Sequence, residues 1–598
     1  MKEFWIKSSF IRSYLWKYRK SVSVGIAALI LVDILEIFPP LILKGTIDHL
    51  TSGGEMDVIY KFAAAYFFVS VFQSICRYAW RMYIIRTSMW AGRDIRNRFA
   101  NHLFRLSASF YDRNRVGDLM SLATNDTEAV RRAMGPGLIV FADAVFYMLT
   151  VPIAMIILSP KLTALTFIPM VFIPFIVFRN EKLIHKRFEK VQETFSHLSS
   201  LAQENLMGIR VVKAFAKENA QLNRFARSGL EYLNYNMKLA RIQSGFGPSL
   251  DFIMSTGMVM LIYFGGFWVS DDSITIGTFV AFQRYIQKMI WPMEAIGLSV
   301  VFFQRGTASS ERVLRILSEK SDIVDPDRAR YKEPKNLSKI EFKNLRFRYP
   351  GAEKWVLDGL NLTVEPGMRV AILGSIGSGK SSLLSIIPRF YPVERDQVFL
   401  GGIDINDWPK ERVRALIGYV PQDLFLFSES VSENIAFGLP DFDGTSEHHI
   451  GQVDRVAKLC SVKVDIDRLS GGFDTKLGER GVNLSGGQKQ RLTLSRAIIK
   501  EPSVLILDDA LSAVDVETES NILKALKASR GSRTELIAAH RISTVQDADL
   551  VVVLEEGKIA DQGTHAKLIR KKTGLYYRFY EQQRLKEELD QFLEGVSS

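Results

Sequence analysis

Residues 369–381 read Arg369-Val-Ala-Ile-Leu-Gly374-Ser-Ile-Gly377-Ser-Gly379-Lys380-Ser381. A short apolar run of strand character leads into a glycine-rich loop, and a run of helical character follows from Ser382. In that setting the pattern is a phosphate-binding loop, which places an α/β domain around it. Glycines let backbone N–H groups close around phosphate oxygens, and the start of the helix adds the positive end of its dipole. The expected contacts run over Gly374, Ser375, Gly377, Ser378, Gly379, Lys380, Ser381 and Ser382. Lys380 suits the β- and γ-phosphates of a nucleoside triphosphate, and Ser381 suits Mg²⁺.

Two downstream stretches complete this reading. Val504-Leu-Ile-Leu-Asp508 is a buried-strand run ending in an acid, suited to a second Mg²⁺-supporting carboxylate. Leu484-Ser485-Gly486-Gly487-Gln488 sets two glycines and a hydroxyl ahead of a helical run, a second place where backbone can approach a phosphate.

Upstream the chain changes character. It has 598 residues, too many for one compact domain. Hydrophobic residues make up 47% and charged residues 24%, but the long apolar runs sit in the first half. A membrane-spanning helix needs about 20 mostly apolar residues. Six runs qualify: Val22–Leu43, Val58–Ile84, Leu138–Leu158, Leu162–Phe178, Pro248–Val269 and Ile274–Val300. The connecting segments alternate in charge. Thr51–Asp57, Ser159–Pro160 and Ser270–Ser273 contain no Lys or Arg, whereas Arg86–Arg132 and Arg179–Arg241 are long and basic. By the positive-inside rule the basic segments and both termini face the cytoplasm.

The net charge of +12 is therefore a matter of topology rather than of nucleic-acid binding. Two cysteines, Cys76 and Cys460, suggest neither a disulfide framework nor a metal cluster. Met1–Lys20 mixes bulky aromatics with bases and reads as an amphipathic helix leading into a retained span. Apolar residues recur at helical spacing in Met89–Leu106 and Phe188–Leu206, so the spans should project past the bilayer. Turns are expected at Arg113–Ser121 and Gly208–Lys217.

The expected organisation is a membrane all-α domain of six helices over residues 1–304, a linker over 305–337, an α/β domain over 338–580 and a helical tail over 581–598. The prolines of Asp325-Pro326 and Glu333-Pro334 break the linker, since each disfavours helix in the residue before it.

Six spans, this P-loop and Leu484–Gln488 together resemble the ATP-binding cassette family, in its exporter half-transporter form, multidrug or lipid type, over the whole chain. The resemblance implies ATP and Mg²⁺ as cofactors and a second half-transporter as partner. It gives Ser485, Gly486, Gly487 and Gln488 to the ATP held by the opposite cassette. Tyr349 in Phe347-Arg-Tyr-Pro350 is similar to the aromatic that stacks on adenine, and Gln422 in Val420-Pro-Gln-Asp423 to the glutamine that senses Mg²⁺ and water. Ser512-Ala-Val-Asp515 is similar to the loop crossing the cassette dimer, and His540 to the switch histidine on the γ-phosphate. Leu477-Gly-Glu-Arg-Gly481 resembles a segment touching the membrane domain, and the two expected turns resemble coupling helices.

One departure stands out. The family pattern has Glu after the second carboxylate, where this chain has Asp509. Asp is one methylene shorter, so its carboxylate falls short by roughly 1.5 Å, one C–C bond. Misplacement of about 1 Å can cost around 100-fold in rate. Catalysis at Asp509, with His540 and Gln422, should be slow while ATP binding survives. The reading favoured is the slow-site subunit of a heterodimeric exporter in the cytoplasmic membrane. A homodimeric lipid flippase or exporter, and an ATP-gated regulatory or channel subunit, are the alternatives. Charges inside spans are expensive and usually functional. Asp33, Glu36, Asp143, Arg284 and Lys288, with Pro292 and Glu294 nearby, are candidates for an amphipathic cargo's path or for pairing between helices.

Overall fold

The computed structural model describes residues 9–326, 334, 336–440, 447–478, 481 and 483–597. Its contacts divide the chain into two compact units. One comprises Met1–Phe104 and Val116–Glu319, the other Arg105–Arg115 and Lys320–Ser598.

In the first unit, six helical segments are long and apolar enough to cross a membrane: Arg19–Thr51, Met56–Leu103, Val116–Leu158, Pro160–Met207, Glu218–Ser270 and Ile276–Ser318. The helix Met56–Leu103 alone has 48 residues, about 72 Å of rise, well beyond a bilayer core of about 30 Å. The first span is interrupted between Leu35 and Phe38, where Pro39 and Pro40 start a new helix because they lack the N–H an interior turn needs. The sixth helix starts at Ile276 rather than Ile274, because the Thr275 hydroxyl caps it by accepting the Thr278 N–H at 3.1 Å. That helix ends at Lys288, and after a break at Met289 a second helix, Ile290–Ser318, runs through residues 305–318. A helix over Ser9–Lys17 buries Phe10, Ile11 and Tyr14.

The first turn lies earlier than the sequence suggests. The second span ends at Leu103, a short helix Ala108–Arg113 fills the turn, and Val116–Ser121 already belongs to the third span. Asn114 is extended, and the apolar repeat resumes at once with Leu119 and Leu122 buried. The second turn, Gly208–Lys217, holds the short helix Ile209–Ala214.

The second unit contains two sheets. Strands β1 (Ile340–Phe347), β2 (Leu357–Val364), β4 (Val398–Leu400) and β5 (Ile403–Asp404) form an antiparallel sheet in the order β2-β1-β4-β5. The larger sheet contains β3 (Arg369–Gly374), β6 (Ile417–Val420), β7 (Val504–Asp508), β8 (Thr534–Ala538), β9 (Leu550–Glu555) and β10 (Lys558–Gly563). Its order is β10-β9-β3-β8-β7-β6, and all neighbours are parallel except β10 and β9. Every residue of β3, β7 and β8 is buried, which is why they read as near-continuous apolar runs. A helix over Leu575–Ser597 ends the described chain.

Two charged residues interrupt those apolar strands. Arg369 opens β3, and its Nε donates to Glu535 Oε2 on β8 at 2.6 Å, with both side chains at 2% exposure or less. Arg533 adds a second bond to Glu535 at 2.7 Å. Removing one partner of such a pair leaves an uncompensated buried charge, at a cost of about 3–5 kcal/mol. Glu535→Ala should therefore lower the thermal unfolding midpoint of the cassette markedly in the purified chain. Glu501→Ala, which breaks the exposed Arg455–Glu501 pair, should barely move it, and equal shifts would contradict this account.

Candidate functional site

The register of the large sheet builds the site. Ile372 pairs with Ala538, and Ala538 pairs with Asp508, so three strand ends stand level on β3, β8 and β7. Ligands of open α/β sheets bind beyond the carboxyl ends of the strands. Here those ends continue into the loop Ser375–Gly379, into Asp509 and into His540.

The loop is shaped for close approach. Gly377 and Gly379 have φ of +80° and +102°, in the left-handed region that favours glycine. A Cβ on Gly374 would lie 2.5 Å from the Leu554 carbonyl oxygen, and one on Gly379 2.7 Å from Leu357 Cδ2. The helix Lys380–Ile386 starts directly after the loop, and its first N–H groups lack acceptors within the helix. Ser378 Oγ is buried with no hydrogen-bond partner among the described residues. These are the properties a polyphosphate requires, and the residues fit one.

Lys380 is folded onto the loop. Its Nζ donates to the carbonyls of Gly374 at 2.7 Å and Ser375 at 2.9 Å. Burial pulls its ammonium below the usual lysine range, opposed by the charges of Asp508 and Asp509. Burial pushes Asp508 the other way, above the usual carboxylate range, against a hydrogen bond from Ser381. Ser381 Oγ donates to Asp508 Oδ1 at 2.9 Å, so this hydroxyl and carboxylate already face each other where Mg²⁺ would sit. Among the described residues no cluster of three or more His, Cys, Asp or Glu could hold a metal ion.

Tyr349, Gly377, Ser378, Gly379, Lys380, Ser381, Ser382, Gln422, Asp508, Asp509 and His540 line one cavity of about 310 Å³. Tyr349 shares a hydrogen bond of 2.8 Å with Ser382 and packs edge-on against Tyr391, ring centroids 5.0 Å apart. Leu484–Gln488 do not line this cavity. Ser485 instead caps the helix Gly486–Ile498, in a reciprocal box with Gln488. A Cβ on Gly487 would lie 2.8 Å from the Ala513 carbonyl oxygen, so this motif packs against the loop after β7. In Leu477–Gly481, Glu479 and Arg480 lie outside the described residues, as does the Glu294 side chain.

Asp509 is held by its backbone. Its N–H donates to the Ala538 carbonyl at 3.0 Å, and its φ is +52°. Its carbonyl accepts the Gln490 Nε2 at 3.2 Å. Gln490, nearly fully buried, also donates to Ser512 Oγ at 3.0 Å and accepts the Ala513 N–H at 2.8 Å. It thus ties the helix of Gly486–Ile498 to the loop carrying Asp509. Arg541 does a parallel job after His540, donating to buried Glu519 at 3.0 Å and to the Val514 carbonyl at 3.3 Å.

A third link runs from the aromatic end of the cavity. Tyr391 donates its hydroxyl to Asp112 Oδ2 at 2.8 Å, on the short helix Ala108–Arg113. Burial, then Asp112, raises the Tyr391 phenol above the usual range, so it stays a donor. Ser107 and Ser109 of the same segment donate to Asp322. Sequence reasoning finds none of Gln490, Arg541 or Tyr391, because an isolated Gln, Arg or Tyr in a helix or loop carries no spacing signal.

In the first unit, Asp33, Glu36, Asp143 and Lys288 line a common cavity, whereas Arg284 is not among its lining residues.

The chain is similar to known proteins over nearly its whole length. Residues 22–293 match the family described as ABC transporter transmembrane region, and residues 357–512 the family described as ABC transporter. The chain is 35% identical over 579 residues to the probable multidrug resistance ABC transporter ATP-binding/permease protein YheI of Bacillus subtilis, covering 96% of this chain and 97% of that one. It is 34% identical to the multidrug resistance-like ATP-binding protein MdlA of Escherichia coli, covering 95% of each. Its fold matches that of a bacterial Atm1-family ABC exporter solved with ATP bound, with TM-score 0.77, 27% identity, and coverage of 94% of this chain and 99% of that one.

Gln490→Leu should leave equilibrium binding of a fluorescent ATP analogue nearly unchanged and lower ATP turnover by about tenfold, because only the position of Asp509 is loosened. Equal losses in binding and turnover would show that Gln490 merely supports the fold.

Proposed function

Because the chain belongs to the ABC transporter family, with one membrane region and one cassette, we propose that it is one half of a dimeric, ATP-driven exporter of amphipathic small molecules, drugs or lipids. The observation that carries this reading is the joining of six spans to a complete nucleotide cradle on one chain, membrane region first. The names of the relatives, probable multidrug resistance in one and multidrug resistance-like in the other, support the cargo class.

Two ATP molecules, each gripped by one P-loop and by the partner's counterpart of Ser485–Gln488, favour closure of the cassettes. The position of Ser485–Gln488 outside the chain's own cavity supports this division. Lys380 and the loop N–H groups would bind the phosphates, Ser381 and Asp508 would hold Mg²⁺, which would neutralise phosphate charge, and Gln422 and His540 would complete the γ-phosphate end. Closure biases the spans toward an outward-open state, and product release lets them return, a two-state equilibrium shifted by differential affinity. The basic connecting segments place the cassette and both termini on the cytoplasmic side.

Asp509 makes this chain's own site the slow one and the partner a second half-transporter carrying Glu. One observation favours the homodimer instead. At φ +52° Asp is better tolerated than most residues, so backbone preference alone can select it.

Two experiments separate these readings. Asp509→Glu should raise the steady-state ATPase of the purified chain by about tenfold or more, given the penalty for a displaced carboxylate. An unchanged rate beside a fast wild type favours the homodimer. Inside-out vesicles carrying the chain and its partner should accumulate a fluorescent amphiphile above its external concentration with ATP, and not with a non-hydrolysable analogue. Equilibration without accumulation identifies a gate rather than a pump.

A further inference from the structure

His540 sits on a segment too short to hold its own shape. It lies between the end of β8 and a helix of 4 residues, Ile542–Val545. A single helical turn closes too few hydrogen bonds to offset the ordering of its backbone, so its conformation is imposed from outside. Arg541, the residue before the turn, gives no side-chain cap to the N–H groups that the turn leaves free.

Two sets of contacts impose it. In the first, Arg541 is tied to Glu519 and to the Val514 carbonyl, and the Thr544 hydroxyl donates to the same Glu519. The second comes from the end of the chain. The Ile542 N–H, two residues beyond His540, donates to Gln583 Oε1 at 2.8 Å. Gln583 thus supplies, from the terminal helix Leu575–Ser597, the cap that a local Ser, Thr or Asp side chain usually gives. That helix is itself anchored. Tyr576 is fully buried, its N–H donates to Asp561 Oδ2 at 3.2 Å, and its hydroxyl shares a hydrogen bond of 2.5 Å with His565 Nδ1. Leu575 and Phe579 pack against the core that contains Ile542 and Val545. Leu575, Phe579 and Gln583 follow one another at helical spacing, so the apolar face leads to the glutamine, and Arg584 and Leu585 after it are exposed.

We propose that Gln583 is a positioning residue for ATP turnover, holding His540 at the γ-phosphate end of the cavity through the Ile542 N–H. The proposal rests on the reading that His540 meets the γ-phosphate, and extends the machinery of that site to the terminal helix. Without the acceptor the turn after His540 loosens. Lys380 and Ser381 keep their own contacts to Gly374, Ser375 and Asp508, so nucleotide binding persists.

The test is single-turnover hydrolysis of radiolabelled ATP by the purified full chain, with equilibrium binding of a fluorescent ATP analogue measured beside it. Methionine and glutamate match glutamine in length, and of the two only glutamate keeps an oxygen acceptor. Gln583→Met should slow ADP formation by about tenfold with the analogue's affinity unchanged, because a small displacement of His540 is costly to the reaction. Gln583→Glu should keep the wild-type rate, since a carboxylate also suits a helix N-terminus. In a His540→Ala background Gln583→Met should slow the reaction no further, because both changes act through one side chain. If Gln583→Met loses analogue binding through misfolding, Gln583→Ala against Gln583→Glu carries the comparison. A wild-type rate in Gln583→Met, no rescue by Gln583→Glu, or a further tenfold loss in the His540→Ala background overturns the proposal. Should His540→Ala itself leave the rate unchanged, the reading of the γ-phosphate end falls. Should His540→Ala slow the reaction while Gln583→Met does not, only the role of Gln583 falls.

Discussion

The ion pair between Arg369 and Glu535 sits at the start of β3 and β8, and it bears on everything at their other end. Parallel strands slip by whole residues, and a slip turns every side chain to the opposite face. A buried charge pair tolerates no slip, because each partner would then lie alone in the core. With the pair in place, Ile372, Ala538 and Asp508 stand level, and the loop after Gly374 opens beside the Asp508 carboxylate. The nucleotide cradle follows from strand register before any ligand is present.

At that edge, binding and splitting of ATP are assigned to different residues. The loop glycines, Lys380, Ser381 and Asp508 form a compact set, and burial pushes both Lys380 and Asp508 toward their neutral forms. Asp509 lines the same cavity and is held through its main chain by Gln490 and the Ala538 carbonyl. Because its backbone is fixed so firmly, the chain has little freedom to advance a short carboxylate. A side chain one methylene too short stays too short, and this is the ground for proposing that the site binds ATP and turns it over slowly.

Much of this was legible in the sequence. The phosphate loop, the buried acid at Asp508 and the six apolar runs all rely on local spacing, and local spacing survives in a linear reading. What the sequence hides is tertiary. The turn between the second and third spans lies at Ala108–Arg113 rather than beyond Arg113, because burial of Leu119 and Leu122 extends the third span backward. Gln490, Arg541 and Tyr391 matter through partners more than 20 residues away. The intramembrane charges look alike in sequence. Only their partners separate Glu36, doubly paired, from Asp33, whose carboxylate has no hydrogen-bond partner among the described residues.

We propose that this cassette holds ATP firmly and splits it slowly. A single-turnover experiment tests it most directly: radiolabelled ATP and Mg²⁺ are added to an excess of the purified chain, and bound ATP and ADP are resolved over time. The account predicts rapid, stoichiometric binding followed by slow appearance of ADP, with Lys380→Ala abolishing the binding. Conversion of bound ATP to ADP as fast as it binds would contradict it.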